Sequence, residues 1–385
     1  MSKALKVLGV TTSYPLNVRS ASGIFVQRLY SELAKLCELR VVTPAGDEQN
    51  SETRSLKVHP VRYAPRKFRK LAQQPGGIPV ALKANPLLVL LVPLMVISML
   101  IAVARRARNV DLIHANWAVS GVIAGLVGRF RGIRVVTTLR GADVSAGSRL
   151  SKLILAWAVT LSDEVVVVSQ SMLALCLERF PDQRSRFHCV ENGVDRFECE
   201  ATARPSECLR LLSVGSLIPR KRIDVLIDAL TAAPPGLELT VVGDGPLRNA
   251  LQAQVAALQL QDRVCFLGEV APDGLNQIYE AHDILVHCSE SEGRPNAVLE
   301  ALRAGLAVVL SDIPVHRELL QASAAGWTFD SGCPEALVQV LDGVLCDPQQ
   351  LRQRQSMARS WADNCLPSWG QCASQYLQLF MATKA

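Results

Sequence analysis

Glu292 and Glu300 stand eight positions apart in the run Glu292-Gly-Arg-Pro-Asn-Ala-Val-Leu-Glu300-Ala-Leu-Arg-Ala-Gly305, astride what reads as the start of a helix. Pro295 suits a first helical turn, where its missing N–H is not needed and its fixed φ fits. The spacing predicts Glu292 in the preceding loop and Glu300 one to two turns inside, so that two carboxylates view one space from different depths. Between them, the N–H groups around Asn296 and Ala297 lie at the positive end of the helix dipole and make a seat for phosphate. Acid, anion seat and acid together would hold a nucleotide sugar. The competing reading is two surface glutamates at a helix start, where the dipole favours carboxylates anyway.

Other phosphate-type signals surround the pair. Val214-Gly215-Ser216-Leu-Ile-Pro219-Arg220-Lys221-Arg222 follows an apolar strand pattern, which puts its turn at the carboxyl edge of a sheet, where open α/β sheets bind ligands. Lys221 is placed there to neutralise a diphosphate; Arg220 and Arg222 either assist or are solvated helix charges. Gly243-Asp-Gly245-Pro246 follows a second strand and either lets backbone approach a ligand or makes a tight turn. Ser20-Ala-Ser22-Gly23, after the first strand, is either a small-residue ligand loop or an ordinary strand-to-helix turn.

Short β-rich runs alternate with amphipathic segments at Val7–Thr11, Leu39–Thr43, Leu112–Ala115, Val135–Thr138 and Glu164–Val168. The rhythm restarts at Arg210–Gly215, Glu238–Gly243, Val264–Gly268, Ile284–His287 and Ala307–Ser311. Such alternation predicts parallel sheets with crossover helices, in two Rossmann-like α/β domains. The polar, strand-free stretch Glu198–Glu207 reads as the linker. The first domain is expected over 1–198 and the second over 199–366. A closing helix over Ser368–Met381, within 367–385, is expected to pack back on the first.

At 385 residues and 49% apolar content, the chain can build two cores, and two lobes imply a cleft. The formal charge of +6 conceals an asymmetry: residues 1–198 hold 27 Lys+Arg against 14 Asp+Glu, and 199–385 hold 14 against 21. The basic clusters Arg62–Lys70, Arg105–Arg108 and Arg129–Arg134 suit an anionic membrane surface or a solvated basic face. Nucleic acid is disfavoured, since aromatics make up 5% and no recognition motif accompanies the charge. Leu87–Val103, apolar apart from Ser98 and containing Pro93, borders on a membrane span in length. Spanning would separate the first strands from the Asp111–His114 strand, so a core or interfacial helix docked on a cytosolic leaflet is expected instead. Eleven cysteines, scattered singly without a C-x-x-C, fit reduced thiols and imply no zinc site. The N-terminal apolar stretch is too short for a signal-peptide core.

Taken together, these motifs resemble the retaining glycosyltransferases of the two-Rossmann GT-B fold, in particular their family 4. The resemblance covers nearly the whole chain. It rests on the Glu, seven residues, Glu motif of Glu292 and Glu300, on Glu300-Ala-Leu-Arg-Ala-Gly305 and its following strand, and on Val214-Gly215 through Lys221. Gly243-Asp-Gly-Pro, Asn192-Gly-Val-Asp195, Ser289 and Ile113-His114-Ala support it. It implies a nucleotide-diphospho-sugar donor, with Lys221 on the diphosphate, Glu300 on the ribose, Glu292 on the sugar ring and the backbone of Arg294–Asn296 nearby. Gly23 would approach the diphosphate from across the cleft, and Asp143 matches an acidic position on the acceptor side. Two departures stand out. Arg140-Gly141 replaces the family's frequent His-Gly, so Arg140 serves either the phosphate or an anionic acceptor. Ser216 replaces an Arg, with Arg220 as the substitute cation.

Breaking an anomeric C–O bond puts positive charge on the sugar and negative charge on the departing diphosphate, which fixed cations and helix N–H groups stabilise. No Asp-x-Asp is present, so no metal or other cofactor is expected. The resemblance implies retention by front-face attack, with Glu292 orienting rather than attacking; a double displacement through Glu292 or Asp143 is the disfavoured route. The expected donor is a UDP-sugar, with GDP-mannose next. The expected acceptor is a glycan or lipid-linked molecule of polysaccharide or envelope biosynthesis, at the cytoplasmic face of the membrane. A nucleotide-sugar epimerase of the same fold and a catalytically silent nucleotide-sugar binder are the alternatives.

Overall fold

The computed structural model describes residues 4–16, 23–46, 56–72, 76–145, 147–195 and 208–382. The linker stretch Glu198–Glu207 and the Ser20–Ser22 part of the small-residue loop lie outside these residues. The chain divides into two compact units, 1–193 with 367–385, and 194–366. The division falls five residues before the boundary read from composition, because Val194 is buried in the second unit's core.

The first unit carries seven strands: β1 (Lys6–Thr11), β2 (Glu38–Pro44), β3 (Lys57–Val61), β4 (Leu112–Asn116), β5 (Arg134–Thr138), β6 (Glu164–Val167) and β7 (Phe187–Cys189). They form one parallel sheet in the order β3-β2-β1-β4-β5-β6-β7. Both faces are covered by helices, so the central strands are apolar along their whole length rather than alternating; Leu8, Val10, Val41 and Val42 are all fully buried. The chain leaves β1 toward one side and returns with β4 on the other, which makes the β1/β4 junction this sheet's switch point.

Gly9 shows how packing in this sheet prepares a site. A Cβ at Gly9 would lie 2.7 Å from the Tyr30 ring, so only glycine admits that ring against β1. Tyr30, on the helix Ile24–Leu33, thereby reaches β4, where its hydroxyl donates to His114 O (3.2 Å) and accepts from Asn116 Nδ2 (2.9 Å). His114 is a core histidine, pushed down to about 3 by burial and by Arg140, and bonded through Nε2 to Thr138 Oγ1 at 2.9 Å.

The apolar run expected over Leu87–Val103 forms a 3-10 turn, Pro86–Leu90, followed by the helix Leu91–Arg106. Pro93 sits in the first turn of that helix, where no hydrogen bond is lost, rather than interrupting it. Met95, Met99, Ala102 and Val103 are built into the core, whereas Leu87, Leu90, Leu94, Ile97 and Ile101, at three- and four-residue intervals, are exposed. Pro86–Arg106 is long and apolar enough to cross a membrane, yet one face of it is part of this unit's core.

The final helix, Trp369–Met381, starts at a capping box between Ser368 and Gln371. It belongs to the first unit: Trp369, Cys372, Ala373, Tyr376 and Phe380 pack with Tyr14, Val26 and Leu29. Arg134 Nη1 donates to Phe380 O and Ala382 O, and Tyr376 Oη meets Thr138 Oγ1 at 3.0 Å.

The second unit is a six-stranded parallel sheet of β8 (Leu209–Val214), β9 (Leu237–Val242), β10 (Val264–Gly268), β11 (Ile284–His287), β12 (Ala307–Ser311) and β13 (Gly326–Phe329). Its order is β10-β9-β8-β11-β12-β13, so its switch point lies between β8 and β11. The ten strands read from the sequence are all present within one or two residues. β3, β7 and β13 are additional, and each is a sheet edge.

Candidate active site

In the second unit the turns after β8 and β11 meet at the switch point. Gly215 ends β8 at φ +155°, and a Cβ there would sit 3.4 Å from Lys221 Cε, so its absence leaves the lysine stem room. Ser216 lies in the turn and its carbonyl accepts from Ile218 N. The 3-10 turn Pro219–Lys221 then brings Lys221 Nζ to 2.7 Å from Glu292 Oε1. Arg220 Nη1 reaches the same oxygen at 3.2 Å and also donates to Ser291 O, while Arg220 O accepts from Glu290 N. His287 Nε2, from the end of β11, is 3.4 Å from both Lys221 Nζ and Glu292 Oε1.

The electrostatics follow from this crowding. Burial alone would raise the Glu292 carboxyl, but Lys221, the His287 hydrogen bond and Arg220 together hold it well below the usual range. Burial also lowers Lys221, and Glu292 pushes back against that. His287 is pushed down to about 4 by burial first and Lys221 second, so it is neutral at pH 7. Its Nε2 is fixed by Ser289 Oγ at 3.2 Å, and Ser311 Oγ in turn donates to Ser289 O at 2.6 Å. Arg222 takes no part: it pairs with Asp224 and Glu290 on the exposed side.

The helix over Asn296–Ala304 begins one residue later than the sequence reading had it. Pro295 is the N-cap, with φ −76° and ψ 100°, and its carbonyl accepts from Val298 N and Leu299 N. No side chain caps this helix, which leaves its dipole end to other partners. Arg294, just before it, is buried. Glu300 is buried just over one turn in, and its Oε2 accepts from the Tyr279 hydroxyl at 3.0 Å.

Gly243 has a packing role of its own. A Cβ there would lie 2.0 Å from Gly215 O, and φ is +130°, so glycine is required for the β9 turn to pack under the β8 turn. It therefore supports the Gly215–Lys221 loop from beneath.

In the first unit, Gly23 is the left-handed N-cap of the helix Ile24–Leu33, and a Cβ would lie 2.5 Å from Ser13 O. Arg140, after β5, is 4% exposed. Its Nη1 donates to Asn192 Oδ1 at 2.7 Å and its Nη2 to Asn116 Oδ1 at 2.8 Å, while its plane covers Phe25 at 4.6 Å. The Asp143 carboxylate does not bond the guanidinium: Oδ2 accepts from Arg140 N (2.8 Å) and Oδ1 from Ala118 N (3.0 Å). Burial raises Asp143 to about 6, against these two backbone bonds. Its visible work is to fix the turn that presents Arg140.

Among the described residues no three His, Cys, Asp or Glu side chains gather as a metal site, and every described cysteine is a free thiol. The sequence reading missed Tyr279, Asn116, Tyr30 and the contact of His287 with Glu292. His287 had been seen only as the end of a strand.

Two family models match, the description "glycosyl transferases group 1" over residues 196–361 and "Glycosyltransferase Family 4" over 22–196, so together they run through both units. A Bacillus subtilis (strain 168) glycosyltransferase named for teichuronic acid biosynthesis, TuaC, is 27% identical over 339 residues, 80% of this chain and 81% of that protein. Among solved structures, Anabaena Alr3699/HepE in complex with UDP and glucose is similar with a TM-score of 0.76 at 19% identity, covering 98% of this chain and all of that one. Sucrose-phosphate synthase of Thermosynechococcus elongatus is similar at 0.77 and 21%, with 97% and 98% covered. Two parallel Rossmann-like sheets, the Lys221–Glu292–Glu300 arrangement at the switch point and two contiguous family matches lead to one identity: the chain is a glycosyltransferase of group 1, family 4, with the GT-B fold.

Proposed function

We propose that this enzyme transfers a sugar, with retention at the anomeric carbon, from a nucleoside-diphosphate sugar to a glycan or lipid-linked acceptor in polysaccharide or envelope-glycan synthesis. The observation that carries the donor half is the buried convergence of Lys221 and Arg220 on one oxygen of Glu292, beside a helix start that no side chain caps. Two cations and a helix dipole can take the negative charge that grows on a departing diphosphate. Glu292, held ionised, then faces the sugar, where positive charge develops, and Glu300 oriented by Tyr279 takes the ribose. Retention with front-face attack needs no side-chain base, since the leaving phosphate accepts the acceptor's proton; Asp143 acts as a positioning residue.

A UDP-sugar is the first choice of donor and GDP-mannose the second, a preference supported by the UDP and glucose held by Alr3699/HepE. The TuaC name supports a polysaccharide acceptor. No metal is required in this scheme. The apolar outward face of Leu91–Arg106, ending in Arg105 and Arg106, suits peripheral attachment to an anionic leaflet on the cytoplasmic side.

The test is a panel of UDP-, GDP- and ADP-sugars screened by thermal shift and by release of free sugar, with and without EDTA, since a ligand that binds the folded state stabilises it more the tighter it binds. Stabilisation and slow donor hydrolysis by one nucleotide class, unaffected by EDTA and giving a product of retained configuration by NMR, is the expected result. Stabilisation without hydrolysis or transfer marks a silent binder, and a rearranged nucleotide sugar marks an epimerase.

A further inference from the structure

Arg140 is a buried cation whose one nearby carboxylate, Asp143, bonds its backbone N–H and leaves the guanidinium fork unpaired. Among the described residues no carboxylate pairs with its guanidinium, which is held by two neutral amide oxygens and the Phe25 ring. Keeping a guanidinium fork from water with no carboxylate bonded to it is costly, so its retention calls for a partner. Its Nε has no acceptor, and the same holds for two other buried donors at this edge of the sheet, Tyr14 Oη and Trp117 Nε1. Tyr14 and Trp117 follow β1 and β4, the strands that flank the first unit's switch point, where open α/β sheets take their ligands, and Arg140 follows the neighbouring β5.

The surroundings tie the three donors together. Phe25, which Arg140 covers, meets Trp117 edge-on at 5.9 Å, and Gly23, two residues before it, abuts the backbone of Ser13 and Tyr14. Trp117 is held at φ +79°, a conformation that bulky residues avoid and that clusters at active sites and ligand clamps. A strand edge where three buried donors lack acceptors, one of them on a guanidinium, asks for acceptor oxygens that carry negative charge.

We propose that the first unit selects an anionic acceptor, and that the Arg140 guanidinium, with Tyr14 and Trp117, receives the oxyanion of that acceptor, a carboxylate or a phosphate. This deepens the glycosyl-transfer reading and rests on it for the identity of the ligand as acceptor. Asn116 and Asn192 hold the fork in place without neutralising it, as a charge receptor requires. Arg140→Lys keeps the charge but loses the fork, and so retains only part of the selectivity.

The experiment uses the full chain, the donor found by the sugar-nucleotide screen and matched acceptor pairs: hexuronic acid glycosides against the same hexose glycosides, and sugar phosphates against the free sugars. The wild-type enzyme is expected to favour one acidic member by roughly 30-fold or more in kcat/KM, as a desolvated charge-assisted pair implies. The carboxylate and phosphate arms tell the two oxyanions apart. In Arg140→Met the preference collapses, and the loss lies in acceptor KM rather than donor KM. Equal use of neutral and acidic acceptors by wild type, equal loss on both in the variant, or a loss in donor KM each overturns the proposal. Tyr14→Phe, which removes a donor without touching charge, is expected to weaken acidic acceptors alone by about tenfold, the worth of one hydrogen bond to a charged group. It carries the test should Arg140→Met not fold, and no acid-specific loss in it overturns the proposal. If no donor is hydrolysed or transferred, the glycosyl-transfer reading fails separately. Acid recognition is then read by thermal shift with hexuronates and sugar phosphates: a shift in wild type that Arg140→Met lacks supports the site, and no shift in wild type overturns it.

Discussion

Glu292→Gln separates the two jobs of the Lys221–Glu292 pair. At 2.7 Å and an effective dielectric of about 20, the attraction between the two charges is about 6 kcal/mol. Desolvation of both buried groups consumes most of that, leaving about 1 to 2 kcal/mol that an incoming diphosphate must displace. Among Arg220, Lys221 and Glu292 the net charge is +1, and the substitution makes it +2. Nucleoside diphosphate should therefore bind about tenfold more tightly at pH 6, the equivalent of about 1.4 kcal/mol. Transfer should fall by three orders of magnitude or more, in line with loss of a preorganised charge at the reacting centre. The variant also gains a pH dependence. Glu292 is what opposes the burial-driven lowering of Lys221, so without it the ammonium loses its proton at a lower pH, and the gain in affinity fades as pH rises. Titration calorimetry of UDP and GDP between pH 6 and 9, alongside single-turnover transfer, reads both effects. Weaker nucleotide binding at pH 6 with an unchanged melting curve would show that Glu292 itself holds the donor, and undiminished turnover would remove it from the reacting centre; either refutes the reasoning.

Four further outcomes follow from the geometry. Tyr279→Phe removes the hydroxyl that holds Glu300 Oε2, and should raise donor KM by roughly 10- to 100-fold, as for a hydrogen bond to a charged group, with little change in kcat; steady-state kinetics check it. Gly243→Ala forces a Cβ onto Gly215 O at a positive φ and should destabilise the second unit by about 2 to 5 kcal/mol, seen as an earlier nucleotide-sensitive transition in calorimetry. Asp143 is raised from 3.8 to about 6, so its contribution to stability is fully present below about pH 4 and is lost as pH rises through 6, by at most about 3 kcal/mol. Asp143→Asn should lack that slope when melting is followed from pH 4 to 7. Replacing Leu90, Leu94 and Ile97 by Gln should abolish flotation with anionic liposomes at low salt and leave the second unit's nucleotide binding intact; undiminished flotation would place membrane attachment elsewhere.

The central strands were legible because burial on both faces writes a continuous apolar run, as in Val41-Val42 and Val165–Val167. Edges lack that constraint. β3 carries His59 and Pro60, which an edge tolerates, and β7 is three residues long, so neither stands out from loop. β13, four residues long, opens on glycine. The residues proposed for the donor were legible for a different reason: Gly215 to Lys221 and Glu292 to Glu300 are contiguous segments whose spacing survives in one dimension. Contacts made by register left no such trace. Tyr279 meets Glu300 across 21 residues, and Arg140 reaches Asn116 and Asn192 across 24 and 52, through the ends of β4, β5 and β7. Pro295 differed by one position because a proline satisfies the N-cap and the first helical position almost equally well, and only the backbone angles separate them. Gly243 stood open between ligand loop and tight turn because sequence cannot tell whether the space a glycine leaves is filled by substrate or by another turn.

The helix Trp369–Met381 gives the chain an unusual order of completion. The first unit is encoded first, but four of its large buried contacts, those of Trp369, Cys372, Tyr376 and Phe380, arrive only after the whole second unit has been made. During synthesis the second unit, continuous in sequence, can close as a folded body, while the first waits with the β1 and β4 face of its sheet uncovered. A chain ending near residue 366 would thus hold a complete second unit joined to an unfinished partner with an exposed apolar groove, a natural client for a chaperone.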